Sequence, residues 1–304
     1  MITVSAPGKL LLLGDHAVVY DYPCLVTAVN KRLYVEAEII EASEDDIITP
    51  QVKESRFVLE TLAYFKEKFH IQDAIRIKTQ GDFSHQVGLG SSSAVTVATF
   101  EALNILFSLH LTKKEIFDMS YHVTLLIQGV GSGFDVAAAT FGGSLYYVKG
   151  GVKMELLPLS HLPIVVGYSG IKADTPLYIR KVAEAFKQRK GEMDILFQSI
   201  SDLVEKAKIS LLKEDFEKVG TLFTENHSIL KKLGVSIPKL DDMVEASISA
   251  GAWGAKLSGA GGGDCMIALV SDSKREGVEK AIRKMGGEII PVTVNAPGVE
   301  RDNI

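Results

Sequence analysis

The stretch VGLGSSSAV, residues 87–95, is the part of the sequence from which the fold can be inferred. Glycine lets the backbone approach a ligand closely, and the apolar residues after Ser93 predict a helix whose N-terminus would carry partial positive charge. The stretch is therefore typical of a turn that binds phosphate. It lacks the Gly-Lys-Ser/Thr ending of the common ATP-binding loop, and taken alone it is equally compatible with an ordinary helix after a glycine turn.

Length and composition indicate a large hydrophobic core and two domains. The chain has 304 residues, of which 46% are hydrophobic and 23% are charged. Its formal net charge of -5 gives no general attraction to nucleic acid or to an anionic membrane, so we expect neither as a partner. The apolar run at residues 10–13 is too short to cross a membrane, and we expect a cytoplasmic protein. Cys24 and Cys265 fit no metal-binding spacing, and we expect both to be reduced.

Three other glycine-rich segments contain charged residues. The segment APGKLLLLGDHAVVY, residues 6–20, places Lys9, Asp15 and His16 beside predicted turns between strands. The segment GVGSGFDVAAATFGG, residues 129–143, presents Asp135 at the start of a helix of small residues, where a helix N-cap is the simplest interpretation. The segment GAKLSGAGGGD, residues 254–264, precedes an apolar run that is typical of a strand.

Hydrophobic periodicity predicts helices and strands around these segments. We expect a helix that is buried on nearly all sides at residues 94–107, and a second helix that begins with a capping box formed by Thr112 and Glu115. Further predicted helices are at 55–69, 195–212, 216–233, 238–250 and 274–285, and predicted strands are at 34–39, 74–78, 163–168, 265–270 and 288–294. The pattern changes after residue 150, and we place a domain boundary near Leu157.

The segments at 6–20, 87–95 and 254–264 resemble, in order and spacing, the three signature motifs of the GHMP small-molecule kinases. This superfamily includes galactokinase, homoserine kinase, mevalonate kinase and phosphomevalonate kinase. Residues 15–20 and the segment 226–241 are most similar to the mevalonate kinases, whereas residues 129–143 are closer to the phosphomevalonate kinases. The resemblance therefore covers nearly the whole chain but leaves two subfamilies open.

The resemblance implies a two-domain α/β kinase that uses ATP and Mg²⁺ and binds nucleotide and alcohol between its domains. Residues 1–157 would form the ATP-binding domain, similar to domain 2 of ribosomal protein S5 with a left-handed βαβ unit, and residues 158–304 a ferredoxin-like α/β domain. The residues that it implies at the ATP phosphates are Gly88, Leu89, Gly90, Ser91, Ser92, Ser93, Gly259, Ala260 and Gly261, with Ser92 also on Mg²⁺. It implies Asp135 and Lys9 as catalytic residues and His16, Asp15, Lys256 and Ser258 as substrate-binding residues.

The chemistry of phosphoryl transfer is consistent with that catalytic pair. An alcohol is a poor nucleophile at neutral pH, so a carboxylate within hydrogen-bond reach, beside an ammonium group, is the minimal arrangement. Asp135 and Lys9 would supply it. A nearby ammonium keeps a carboxylate ionised but also makes it a weaker base, so Asp135 either removes the proton early or mainly orients the alcohol.

Two positions depart from the mevalonate kinase pattern. That pattern has an acidic Mg²⁺ ligand where this chain has Thr124, Leu125 and Leu126, and it usually has glutamate where this chain has Asp15. Mg²⁺ retains several water ligands, so Ser92 or Ser93 together with water and phosphate oxygens would be sufficient to hold it.

These observations favour mevalonate as the acceptor and leave three alternatives. Phosphomevalonate needs additional cationic groups, for which Lys172, Arg180 and Lys181 are candidates, although a solvated helix face is their simpler explanation. The second alternative is another acceptor such as a sugar or homoserine. The third is a catalytically silent sensor of ATP and a metabolite, for which the missing acidic ligand is an argument. The family also suggests a homodimer.

Overall fold

The computed structural model describes residues 1–52, 55–159 and 161–302. The strands of its first, seven-stranded sheet are β1 (Ile2–Leu13), β2 (Cys24–Ile40), β3 (Asp46–Ile48), β4 (Ala74–Gly81), β5 (Ser144–Val148), β6 (Lys153–Leu157) and β11 (Glu300–Arg301). β2 pairs with β1, β4 and β5, and the only parallel pair among these strands of the described structure is β3 with β4. β1 continues through Pro7 and Gly8 with a register shift, so the turn expected there is instead a bulge within one strand.

One buried helix organises the first half. The helices of this half are α1 (Arg56–Phe69), α2 (Ser91–Leu106), α3 (Lys113–Gln128) and α4 (Phe134–Phe141). α2 packs against β1 and β2, and the other three helices pack around it. Nearly every residue of α2 after Ser92 is buried, which confirms the prediction of a helix that is apolar on nearly all sides.

Local capping signals fix the ends of two of these helices. The Ser55 side chain accepts a hydrogen bond from the Val58 N–H and begins α1. Thr112 and Glu115 form the predicted capping box at the start of α3. These residues act through neighbours only three positions away, so the sequence was sufficient to predict both helix starts.

The second half is a four-stranded antiparallel sheet with five helices. Its strands are β7 (Ile164–Tyr168), β8 (Gly254–Ser258), β9 (Cys265–Leu269) and β10 (Glu288–Ile289), in the order β10-β7-β9-β8. Its helices are α5 (Thr175–Ala185), α6 (Lys190–Leu212), α7 (Phe216–Lys232), α8 (Pro238–Ser249) and α9 (Asp272–Lys284). The helices predicted in this half are all present, and α6 begins five residues earlier than expected, at Lys190.

The chain leaves the second sheet after Ile289. The strand predicted for 288–294 stops at Ile289, because Pro291 has no N–H with which to continue the ladder. The chain then crosses to the first sheet, where β11 pairs with β1. Gly142 permits this return, since a Cβ at Gly142 would lie only 2.1 Å from the backbone nitrogen of Gly298.

Arg32 holds the returning segment in place. Its guanidinium donates to the carbonyl oxygens of Pro297 and Gly298 at 3.0 and 2.9 Å, and it lies 3.2 Å from the carboxylate of Glu300. Arg32 is 9% exposed, so these partners replace most of its contact with water.

A shared hydrophobic core joins the two halves. Leu10, Leu12 and Leu25 of the first sheet pack in one cluster with Val166 and Ile267 of the second. No helix within the described ranges is long and apolar enough to cross a membrane. Because the residues of this cluster are buried, the two halves meet along a surface from which water is excluded.

Candidate active site

The serine turn predicted to bind phosphate leads directly into α2. Gly88 and Gly90 both have positive φ, at +75° and +80°, which glycine adopts without strain. A Cβ at Gly88 would lie 2.5 Å from the side chain of Asp264, so glycine is also needed there for close packing. Gly88, Gly90, Ser91 and Ser92 line a cavity between the two halves. Leu89 does not line it, because its side chain is buried in the shared core.

The Ser93 side chain lies behind the cavity wall. It is 1% exposed and lies outside the cavity wall, and its hydroxyl donates a 2.6 Å hydrogen bond to Oδ2 of Asp135. The resemblance placed Ser93 at the ATP phosphates. In the structure its hydroxyl is committed to the aspartate instead, and it orients that carboxylate.

Asp135 lies in the first turn of α4 and faces the same cavity as the serine turn. Gly133, with φ of +86°, precedes the helix and brings the carboxylate to the wall. Asp135 does not cap α4 as an N-cap residue, since it lies inside the helix after the capping position. Its Oδ1 is within 3.1 Å of the Val136 N–H, so the two oxygens of the carboxylate have separate partners.

Lys9 reaches the cavity from β1. Its ammonium donates to the carbonyl oxygen of Gly88 at 2.9 Å, and its backbone N–H donates to the carbonyl oxygen of Leu89 at 2.8 Å. Burial lowers the pKa of Lys9, and the nearby carboxylate of Asp135 opposes that shift. The structure therefore brings Lys9, Asp135 and the serine turn together around one space.

The first and third glycine segments are joined across the cleft. Asp15 Oδ2 lies 2.8 Å from the Lys256 ammonium, and Asp15 Oδ1 accepts from the Gly259 N–H at 2.8 Å. The hydroxyl of Ser258 lies 3.1 Å from the Leu11 nitrogen and 2.9 Å from its oxygen. The side chains of Asp15 and Lys256 are both 0% exposed. Neither lines the cavity, so these two expected substrate-binding residues lie behind its wall, whereas Ser258 lines it.

His16 is the member of the first segment that lines the cavity. Its Nε2 donates to the carbonyl oxygen of Ala260 at 2.8 Å, which leaves Nδ1 as the acceptor nitrogen of a neutral ring. Burial lowers the pKa of His16, although the bond to Ala260 opposes that shift. Within the described residues Nδ1 has no hydrogen-bond partner.

The third segment contributes only part of its glycines to the wall. Gly259 and Ala260 line the cavity, but Gly261 does not. Gly261 packs against the backbone of Val235 instead, where a Cβ would lie 2.1 Å from the Val235 oxygen. Of the phosphate-binding residues that the resemblance implied, six therefore line the cavity: Gly88, Gly90, Ser91, Ser92, Gly259 and Ala260.

The described cavity wall offers oxygen atoms that could hold Mg²⁺. Thr124 lines the cavity near the place of the missing acidic ligand, and its hydroxyl donates to the Ser120 oxygen of its own helix at 2.8 Å. The part of the chain that the structure describes contains no group of three or more His, Cys, Asp or Glu residues suited to a metal. The Ser92 hydroxyl, with Asp135 on the same wall, fits the preference of Mg²⁺ for oxygen and water ligands.

Two charged residues of the cavity were not assigned to it from the sequence. Asp264 was quoted only as the end of the third segment, and it lies on the wall with its side chain 11% exposed. Lys172, until now a candidate only for a second phosphate, also lies on the wall. Arg180 and Lys181 do not line this cavity. The sequence signal that could have identified Asp264 is a carboxylate directly after three glycines.

Comparisons with known proteins agree with this geometry. The profiles described as GHMP kinases N terminal domain and GHMP kinases C terminal match residues 56–143 and 195–288. The mevalonate kinase of Thermococcus sibiricus is 37% identical over 100% of this chain and 99% of its own, and that of Pyrococcus furiosus is 35% identical over 100% and 99%. The crystal structure of the Methanococcus jannaschii mevalonate kinase superposes with a TM-score of 0.83 and 25% identity, over 96% of this chain and 97% of that one.

The resemblance that the motifs suggested and the two-domain α/β class are thus confirmed. The matched ranges include the serine turn, Asp135 and the third glycine segment, which together surround the cavity. This chain belongs to the GHMP kinases, and it is an ATP-dependent kinase of small molecules.

Proposed function

We propose that this chain transfers the γ-phosphate of ATP to the hydroxyl of mevalonate. One observation carries the proposal: the serine turn and the Asp135 carboxylate open onto the same cavity. Had they opened onto separate surfaces, a nucleotide held by the serine turn could not reach an alcohol at the aspartate. The relatives from Thermococcus sibiricus and Pyrococcus furiosus, which are named mevalonate kinases, support mevalonate as the acceptor.

The nucleotide would extend through two adjoining cavities. The second cavity, of about 430 Å³, has a size typical of small-molecule sites. Ser91 and Ser92 line both cavities. We place the adenosine in the second cavity and the triphosphate at the N-terminus of α2, where backbone N–H groups favour an anion.

The acceptor hydroxyl would lie beside Asp135 in the first cavity. The hydrogen bond from Ser93 to Oδ2 and the contact of Oδ1 with the Val136 N–H hold the Asp135 carboxylate in one orientation. In this orientation Oδ1 would accept a hydrogen bond from the alcohol. Lys9, fixed on Gly88, lies beside this carboxylate and partly balances charge on the γ-phosphate. The unpaired Nδ1 of His16 is an acceptor for a polar group of the substrate. Mg²⁺, held by Ser92, phosphate oxygens and water, would supply charge neutralisation when bound.

Phosphomevalonate remains the second acceptor to test, because its extra phosphate needs a cation. The cavity wall within the described residues offers two ammonium groups, Lys9 and Lys172. Lys9 is already placed beside Asp135, and Lys172 lies where the two cavities meet, on the side where we place the nucleotide. This distribution favours an acceptor with fewer charges.

A homodimer stays a prediction.

The proposal is tested by ADP release from Mg-ATP with mevalonate, phosphomevalonate, galactose or homoserine supplied separately. We expect turnover with mevalonate and background rates with the other three. Turnover with phosphomevalonate alone would reassign the acceptor. No turnover with any acceptor, together with measurable ATP binding, would support a sensor.

The catalytic assignment is tested by Asp135→Asn. Removal of a positioned acid–base group costs about 10²–10⁴-fold in rate, so we expect a loss of kcat in that range, with ATP affinity nearly unchanged. Asp118→Asn is the matched control, because Asp118 lies on the surface of α3, paired with Lys114. Turnover of Asp135→Asn equal to that of Asp118→Asn would exclude Asp135 as a catalytic residue.

A further inference from the structure

Lys172 stands where the two cavities of the cleft meet. The residues that line both cavities are Ser91, Ser92, Gln128, Lys172 and Thr175. Among the described residues that line both cavities, Lys172 is the one cation. It lies between β7 and α5, on the side of the cleft formed by the second half, whereas Ser91 and Ser92 begin α2 in the first half. A ligand that extends from one cavity into the other therefore passes between the serine turn and this ammonium group.

Lys172 forms an ion pair with Asp264. Its Nζ lies 3.5 Å from Asp264 Oδ1, and the same oxygen accepts from the Ala173 N–H at 3.0 Å. The lysine side chain is 47% exposed and the aspartate side chain 11% exposed. The carboxylate is thus fixed, whereas the ammonium is partly solvated and keeps hydrogen-bonding capacity for another partner.

The charged residues on the wall of the first cavity indicate what Lys172 could bind. Lys9, the other ammonium on the wall of the first cavity, donates to Gly88 and is influenced most by Asp135 among its charged neighbours. Asp135 and Asp264 are both negative and line that cavity. A triphosphate placed there brings further negative charge and needs a cation that is not already committed.

We propose that Lys172 binds the β- and γ-phosphates of the nucleotide, and that Asp264 holds the lysine in position while no nucleotide is present. This inference rests on the proposed function for the identity of the anion. On nucleotide binding, Lys172 turns from the carboxylate to the phosphate oxygens. Asp264 then competes with the nucleotide for the lysine, so its charge lowers nucleotide affinity.

The test is isothermal titration of ATP, ADP and AMP, each with Mg²⁺, into the full-length protein and three variants. We expect Lys172→Gln to weaken ATP binding roughly tenfold, the effect of one charge-assisted hydrogen bond, and to leave AMP binding unchanged. Asp264→Asn retains the acceptor for Ala173 but not the charge, and we expect it to tighten ATP binding by roughly two- to fivefold. Lys181→Gln is the matched control, because Lys181 lines neither cavity and lies over the Tyr178 ring.

Two results would overturn this proposal. The first is unchanged ATP affinity in Lys172→Gln, or a loss that is equal for ATP and AMP. The second is an Asp264→Asn variant whose ATP binding is weaker and no longer depends on Mg²⁺, which would make Asp264 a metal ligand. The proposed function fails separately, in wild-type protein that binds ATP but releases no ADP with mevalonate.

Discussion

Two lysine–aspartate pairs lie around the cleft, and water reaches them very differently. In the pair of Asp15 and Lys256 both side chains are 0% exposed and the charged atoms are 2.8 Å apart. In the pair of Lys172 and Asp264 the lysine is 47% exposed and the distance is 3.5 Å. An exposed pair contributes about 0–1 kcal/mol, whereas loss of one partner from a buried pair costs about 3–5 kcal/mol. The buried pair of Asp15 and Lys256 therefore stabilises the fold, whereas Lys172 can exchange Asp264 for another partner.

The buried pair acts on the site from behind its wall. Asp15 accepts from the Gly259 N–H, and the next residue, Ala260, accepts from His16. Burial lowers the pKa of Lys256, and the Asp15 carboxylate opposes that shift. The pair thus fixes the loop that positions His16 without contact with the cavity.

The largest expected effect comes from breaking the buried pair with Lys256→Met. We expect the free energy of unfolding to fall by about 3–5 kcal/mol, because Asp15 would be left as an unpaired buried charge. Urea denaturation followed by circular dichroism measures it. The double variant Asp15→Leu with Lys256→Met should recover most of the loss, and Lys172→Met should show almost none. Equal losses in Lys256→Met and Lys172→Met would refute the distinction between the pairs.

The second prediction concerns His227, a buried residue that contacts the backbone beside Lys256 of the buried pair. Its Nδ1 accepts from the Leu257 N–H at 3.4 Å and its Nε2 donates to Asp241 at 3.1 Å. Burial lowers its pKa from 6.5 to about 4, an effect that Asp241 opposes and that the Lys256 charge reinforces. The unfolded chain therefore binds a proton between pH 6.5 and pH 4 that the folded chain does not bind.

Stability associated with the neutral ring of His227 is consequently present above pH 6.5 and lost as the pH falls towards 4. The total is on the order of 3 kcal/mol. We expect His227→Gln, which cannot titrate, to flatten the dependence of unfolding free energy on pH in this window. The exposed His161, changed to Gln, is the control. If His227→Gln and wild type have parallel pH curves, His227 does not cause the acid sensitivity.

The smallest expected effect is on the stability of the exposed pair. Lys172→Gln should change the unfolding free energy by less than about 1 kcal/mol, because the ammonium is already partly solvated. Thermal unfolding without nucleotide measures this change. A loss larger than about 2 kcal/mol would show that the pair is structural, contrary to its assignment as an exchangeable contact.

The features that were predicted correctly from the sequence are those set by short-range rules. The capping box at Thr112 and the burial of α2 on nearly all sides follow from residues within a few positions. The motifs implied that several residues surround one ligand, and six of the residues implied at the phosphates line one cavity.

The rest depended on long-range packing. Successive residues of a helix are rotated by about 100° around its axis, so Ser92 faces the cavity while Ser93 faces Asp135. The sequence motif does not distinguish these two serines. The burial of Asp15 and Lys256 requires a partner from the other half of the chain. The same applies to Asp264, whose position depends on contact with Gly88.

The return of the chain to β1 also determines an order of events during synthesis. A ribosome makes Arg32 early, but the carbonyl groups of Pro297 and Gly298 that receive its guanidinium are made 265 and 266 residues later. Until then the Arg32 guanidinium has Ser5 as a partner but lacks these two carbonyl groups, and Val4 and Ser5 of β1 have no strand on their outer side. The edge of the sheet that is translated first is therefore completed last.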